Sequence, residues 1–241
     1  MTCVKSPGRF RAAGVLAVMI AAVGVACGGG SGKSSDARSL GDVFKAVEAA
    51  MSEPGMVVNV VATFDIRLPE EFGGNSTQKH EYWVNGAEKS ARFKNDKGEL
   101  SIFIDKQRYF EKSSTVRPAD NLECLGLLPI VTAIVGGALC HPDYRAMGTT
   151  RVESGQYEGK KATVVASDGE FGRGAEQFDV VFKLYISPES NLALGYKNHL
   201  QSQSKADKVN ETITTFDTEV VARDSLPADF FEPASIGYIE P

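Results

Sequence analysis

The chain has 241 residues, with 26 Lys and Arg against 31 Asp and Glu, a formal net charge of −5 and 42% hydrophobic residues. Such a length gives one sizeable core. The mildly acidic balance, without a Lys/Arg stripe, excludes the electrostatic footprint of a nucleic-acid binder.

Residues 1–26 read as an export signal. Lys5, Arg9 and Arg11 precede the run AAGVLAVMIAAVGVA, Ala12 to Ala26, in which all fifteen residues are small or apolar. That run is short of the roughly 20 residues needed for a comfortable membrane span. Loss of the signal leaves 23 basic against 31 acidic residues, a mature charge of −8. The stretch CGGGSGKSS that follows ends like a phosphate-binding P-loop. However, the motif requires glycine where Cys27 stands, and a strand leading into a helix, which the signal does not supply. Gly24-Val25-Ala26-Cys27 instead resembles a lipobox, departing from its pattern at Gly24. The alternative is ordinary cleavage near Ala26. Cleavage before Cys27 discards Cys3, and acylation of Cys27 then leaves Cys124 and Cys140 as one pair. Residues 27–38 are glycine-rich and polar, as a flexible tether should be. Two or more acyl chains on Cys27 would attach the chain durably to a membrane. Asn75-Ser76-Thr77 and Asn210-Glu211-Thr212 match the glycosylation sequon, which is incidental behind a bacterial lipobox.

Residues 39–241 form the predicted folded domain. Leu40, Val43, Phe44, Val47 and Met51 recur at helical spacing over Ser39–Ser52, with Ser39 and Asp42 as a capping pair and Pro54-Gly55 as the stop. The period then becomes two. Met56, Val58, Val60, Ala62, Phe64, Ile66 and Leu68 make one apolar face of a long strand. Shorter strands are predicted at Lys79–Val84, Lys89–Lys94, Leu100–Ile104 and Arg108–Glu111, with turns at Asn85-Gly86 and Lys97-Gly98. Further strands are predicted at Thr149–Gln156, Lys161–Ala166, Gln177–Ser187, Ala193–Ser204 and Asn210–Val221, with a turn at Glu158-Gly159. This spacing leaves no room for crossover helices, so the pattern predicts a mainly antiparallel, strongly curved sheet with one face hidden.

The segment CLGLLPIVTAIVGGALC, Cys124 to Cys140, carries no charge and is broken by Pro129 and Gly136-Gly137. It reads as helical pieces covering the apolar face, either as a core plug or as a movable lid. A straight helix would hold its cysteines about 24 Å apart, at ~1.5 Å per residue, whereas a disulfide needs about 4.4–6.8 Å between Cα atoms. Either the segment folds back on itself or the bridge is absent, and an exported environment favours the bridge.

Catalytic motifs are missing: there is no G-x-S-x-G elbow, no H-E-x-x-H and no paired C-x-x-C. His80, His141 and His199 are widely separated, and His141 beside Cys140 suits a histidine next to a disulfide better than a metal ligand. Glu70-Glu71 sit in a polar turn. Tyr82 and Trp83 point to opposite faces of one strand, as packing residues do. The expectation is a protein that is not an enzyme, with neither metal nor cofactor.

Three segments resemble the LolA-like lipoprotein-carrier superfamily, in the style of the LppX/LprG-type lipoproteins. YEGKKATVV, Tyr157–Val165, is similar to a family hairpin, and FKLYISPESNLALGYKNHL, Phe182–Leu200, to a second. TTFDTEVVARDSLPADFFEP, Thr214–Pro233, resembles its closing strand. The likeness covers most of residues 38–233. It implies an α+β fold, mainly antiparallel: a curved half-open β-barrel with helices, here the Cys124–Cys140 segment, covering its concave apolar face. It also implies noncovalent carriage of lipid or lipoprotein acyl chains within the cell envelope, from an exported lipoprotein on the outer face of the cell membrane or the periplasmic side. The soluble carrier of that superfamily is not lipidated, so Cys27 points to the anchored type. On this reading the cavity candidates are Val58, Val60, Phe64, Ile66, Phe182 and Leu184 of the sheet, with Leu127, Ile130 and Ile134 of the covering segment. The same residues would serve equally as ordinary core. The competing functional reading is a periplasmic sensor or regulatory module on the same fold, binding an envelope protein. A third is a solid-cored structural lipoprotein.

Overall fold

The computed structural model describes residues 38–104, 107–118, 144–146, 150–173, 176–205 and 209–240. Residues 1–37 and the Cys124–Cys140 segment lie outside them, and with them Cys27, Leu127, Ile130, Ile134 and His141.

Among the described residues one helix, α1 (Leu40–Met51), precedes the sheet. Ser39 Oγ accepts the Asp42 backbone N–H at 3.2 Å and donates to the Asp42 carboxylate at 2.7 Å. This satisfies one of the donors that a helix N-terminus leaves open. The Ser39 hydroxyl is also the main cause holding the Asp42 carboxyl below its ordinary pKa. Val43, Val47 and Met51, at i, i+4 and i+8, are the buried stripe.

Twelve strands form a single sheet. In chain order they are β1 Met56–Arg67, β2 Ser76–Asn85, β3 Ser90–Lys94, β4 Leu100–Ile104, β5 Gln107–Phe110, β6 Val116–Pro118, β7 Tyr144–Ala146, β8 Arg151–Tyr157, β9 Lys160–Arg173, β10 Glu176–Ile186, β11 Ala193–Ser202 and β12 Val209–Ala222. The spatial order is β6-β5-β4-β3-β2-β1-β12-β11-β10-β9-β7, with β8 also on β9, and every pairing is antiparallel. Two meanders are thus joined by the first and last strands: β1 pairs with β12 over their central register, from Met56 opposite Ala222 to Arg67 opposite Glu211. Among the described residues the path ends at β6 on one side and β7 on the other, so the sheet they form is open.

The helix and the strands β1, β3, β4 and β5 lie within a residue or so of where the periodicity predicts, and β2 begins three residues before its predicted start at Lys79. Three other strands differ. β9 runs on through Ser167–Arg173, well past the predicted end at Ala166. Asp168, Gly169 and Gly172 are poor strand formers, but β10 offers an unbroken ladder opposite them, down to Glu176 against Arg173. β6 and β7 are three residues each and carry too short a pattern to be seen; pairing with β5 and β9 makes them strands. At the β8–β9 hairpin, Glu158 and Gly159 both have positive φ, 49° and 78°. A two-residue I′ turn requires this pair, and it matches the right-handed strand twist.

The helix packs on one face of the sheet. Val58, Val60 and Ala62 of β1, Val84 of β2, Ala91 of β3, Val165 of β9, Leu184 and Ile186 of β10 and Phe216 of β12 meet Val43, Val47 and Met51 in one core. The opposite face is closed by two other devices. The C-terminal segment lays Phe230 against Trp83, with ring centroids 5.5 Å apart, and Tyr238 against Tyr109 at 5.0 Å. Arg92 ties this segment down by donating to the Phe230 carbonyl at 2.9 Å and Ser235 Oγ at 3.2 Å. Under the other half-sheet, Tyr157, Ala162, Val164 and Tyr185 form a second small core. There Tyr157 donates its buried hydroxyl to the Thr214 carbonyl at 2.8 Å, across the space left by Gly195.

Candidate aromatic binding face

The antiparallel registers put particular residues side by side on the helix-bearing face. Val60 stands opposite Tyr82, Tyr82 opposite Phe93, Phe93 opposite Ser101, and Ser101 opposite Phe110. In the adjacent row Val58, Val84, Ala91, Phe103, Arg108 and Arg117 follow each other across six strands. Near β1 these rows are small aliphatic residues under α1. Beyond β2 they turn aromatic.

The result is a continuous band of rings. Phe64 meets His80 at 4.9 Å, His80 meets Phe93 at 5.3 Å, and Phe93 meets Tyr82 at 5.0 Å. Arg108 extends the band, its guanidinium lying 5.6 Å from the Phe93 ring, 5.1 Å from Phe103 and 4.7 Å from Phe110. Phe64, Tyr82 and Phe103 also touch the core beneath α1. Phe64, Phe93, Phe103 and Phe110 are nevertheless only part-buried, whereas Val58, Val84 and Ala91 beside them are closed off.

Burial sets the chemistry of this band. It pushes the Tyr82 hydroxyl up to about 12, with the neighbouring Tyr196 adding and Arg108 opposing. Burial likewise raises Tyr196, the Thr214 hydroxyl opposing it, and lowers His80, with Asp96 opposing. Near neutral pH both tyrosines are therefore neutral and His80 favours its uncharged form. The band presents an apolar, weakly hydrogen-bonding surface with Arg108 stacked among its rings. The Tyr82 hydroxyl and His80 Nδ1 are 3.5 Å apart, at the outer limit of a hydrogen bond. Among the described residues no three His, Cys, Asp or Glu side chains gather at metal-binding distance.

The sequence-predicted sheet residues separate into two groups. Val58, Val60 and Leu184 belong to the packed core, where Val58, Val60, Met51, Leu192, Ala193, Phe216 and Thr218 enclose a void of about 10 Å³. That is room for at most one water. Phe64 begins the aromatic band, and Ile66 follows it along β1 as a part-buried residue. Phe182 is buried on the other wing, opposite Asn198 and Ser167. His80, Tyr82, Phe93, Phe103, Phe110 and Arg108 are the contributors that periodicity did not single out. Their signal was present as alternation within each short strand, H-x-Y-x-V, A-x-F, S-x-F and R-x-F. Only the cross-strand register shows that these rows join. Elsewhere, a surface groove of about 770 Å³ is lined by Gly55, Glu88, Ala222, Arg223, Asp224, Leu226 and Ala228. Its arginine is engaged by the Pro227 and Ala228 carbonyls at 3.0 and 2.8 Å.

No protein-family model matches the chain, and no curated protein matches it. Similar solved structures include a LolA superfamily protein from Nitrosomonas europaea, 11% identical with a TM-score of 0.37, the match covering 81% of this chain and 98% of that one. A DUF1329 family protein from Desulfovibrio piger is 10% identical with a TM-score of 0.35, covering 80% of this chain and 98% of that one. At these values the likeness places the chain in no family and assigns it no activity.

Proposed function

We propose that the aromatic band binds the acyl chains of a lipid or lipoprotein, and that the chain is an exported, Cys27-anchored lipoprotein carrying them within the cell envelope. One observation carries the reading. A row of rings continues the hydrophobic core across β2 to β5 yet stays part-buried, outside the patch that α1 closes. Rings arranged this way offer contact area to a flexible chain, and burial of apolar surface recovers about 25 cal/mol per Å² without any reacting group. In this proposal the sheet curves as a half-open barrel, and the Cys124–Cys140 segment, closed by a disulfide, covers the band as a helical lid or plug. Leu127, Ile130 and Ile134 are then its covering residues, and Phe64 and Ile66 belong to the sheet side of the site. Val58, Val60 and Leu184 lie beside the site on the same face, in the core under α1. The superfamily resemblance in Tyr157–Val165, Phe182–Leu200 and Thr214–Pro233 supports the same reading.

Native mass spectrometry of gently purified protein, with displacement of a fluorescent fatty acid, tests it. Wild-type protein should carry lipid and bind the probe. Phe93→Glu, which sets a charge among the rings, should weaken probe binding by at least about tenfold, because an unpaired charge in an apolar site is costly. A wild-type protein that neither carries lipid nor binds the probe refutes the proposal. Cys27→Ser should move the protein from the membrane to the soluble fraction, and retention on membranes refutes the anchor.

A further inference from the structure

At the outer end of the band two cations face each other across neighbouring strands. Arg108 on β5 and Arg117 on β6 are direct cross-strand partners, and both guanidinium groups lie on the Phe110 ring, at 4.7 and 5.5 Å. Like charges directly opposite each other in an antiparallel pair are destabilising. Here the arrangement is also partly desolvated on the Arg108 side: burial, followed by the Arg117 charge, lowers the Arg108 pKa. Among the described residues neither arginine has a carboxylate within ion-pair distance. The nearby Glu111 is taken up by Lys112 at 2.8 Å and by the Leu100 N–H at 2.9 Å. Arg108 donates from Nε to Ser101 Oγ at 3.2 Å. That bond fixes the plane of the guanidinium, while its two terminal nitrogens have no acceptor among the described residues. Stacking on Phe93, Phe103 and Phe110 fixes it further.

A planar fork held this way, with a second guanidinium one strand away, suits an oxyanion such as a phosphodiester, whose two unbridged oxygens can accept in parallel. Arg117 is exposed at the sheet edge while the rings lead inward. The polar end of an amphiphile would therefore rest at the rim and its chains on the band. We infer that Arg108 and Arg117 seat the phosphate of an anionic phospholipid whose acyl chains lie on the aromatic band, an inference that rests on the lipid-binding reading above.

The test compares dioctanoyl phosphatidylglycerol, dioctanoylglycerol and inorganic phosphate, each titrated into wild-type protein and the Arg108→Gln and Arg117→Gln variants. Wild-type protein should prefer the phospholipid to the neutral diacylglycerol. Each substitution should weaken phospholipid binding by roughly 10- to 100-fold, the scale of a charge-assisted hydrogen bond, and leave diacylglycerol binding within about twofold. Arg117 is exposed, so Arg117→Gln keeps the test sound should Arg108→Gln disturb the ring stack. Equal affinity for phospholipid and diacylglycerol, or no loss in either variant, overturns the headgroup seat while lipid binding stands. Inorganic phosphate binding as tightly as the phospholipid assigns the pair to a free phosphate and overturns the lipid form. Binding of neither lipid by wild-type protein overturns both readings.

Discussion

Gly195→Ala is the substitution whose cost the structure specifies most closely. Gly195 lies in β11, where it pairs with Thr215. A Cβ there would strike the Thr214 carbonyl oxygen of the neighbouring strand and also the Tyr157 ring, 2.5 Å from Cζ and 2.6 Å from the hydroxyl. The ring could swing away. It would then abandon the 2.8 Å hydrogen bond to the Thr214 carbonyl, a loss of about 1 kcal/mol. It would also leave its tilted contact with Tyr185 at 4.7 Å, worth about 0.5–1.5 kcal/mol. The backbone carbonyl cannot move so easily, and forcing β11 from β12 adds an overpacking cost of about 1–3 kcal/mol. The expected destabilisation is about 3–5 kcal/mol, measured by urea unfolding followed with far-UV circular dichroism and the single tryptophan, Trp83. A double-mutant cycle separates the two parts. In a Tyr157→Ala background the added cost of Gly195→Ala should fall by about 1.5–2.5 kcal/mol without vanishing, since the clash with Thr214 remains. A cost below about 1 kcal/mol in the wild-type background, or no coupling to Tyr157, would refute the close-approach argument.

Two further outcomes follow from the same geometry. Burial raises the Tyr82 pKa from 10.0 to about 12. Its contribution is therefore fully present below the unfolded value and is lost as pH climbs through the folded one, a swing of about 3 kcal/mol. Tyr82→Phe should flatten the alkaline limb of the stability profile above pH 10, and an unchanged limb would show that another group sets it. Arg92→Ala should release the C-terminal segment from Trp83 at a cost of about 1.5–3 kcal/mol, the scale of a charge-assisted hydrogen bond. Trp83 fluorescence should then change at a lower urea concentration than the circular dichroism does, and coincident transitions would contradict the clamp.

Local pattern was enough for the elements whose two faces differ. The i, i+4, i+8 stripe of Val43, Val47 and Met51 marks α1, and the alternation from Met56 to Ile66 marks β1 with its core face outward from Asn59, Thr63 and Asp65, because each period repeats over a dozen residues. Long-range pairing decided what pattern could not reach. The ladder with β10 carries β9 through Gly169 and Gly172, and single partners hold the three-residue strands β6 and β7. The site shows the same division. Phe64 and Ile66 are legible as an apolar row, but the row does not say that Val58 and Val60 would be sealed by α1 while Phe64 would not. Nor does any one short strand show that His80, Tyr82, Phe93, Phe103 and Phe110 touch. Alternation tells a residue which face it occupies. Only the register between strands far apart in the chain, and the place where one helix comes to rest, tell it which neighbours share that face and whether the face is closed.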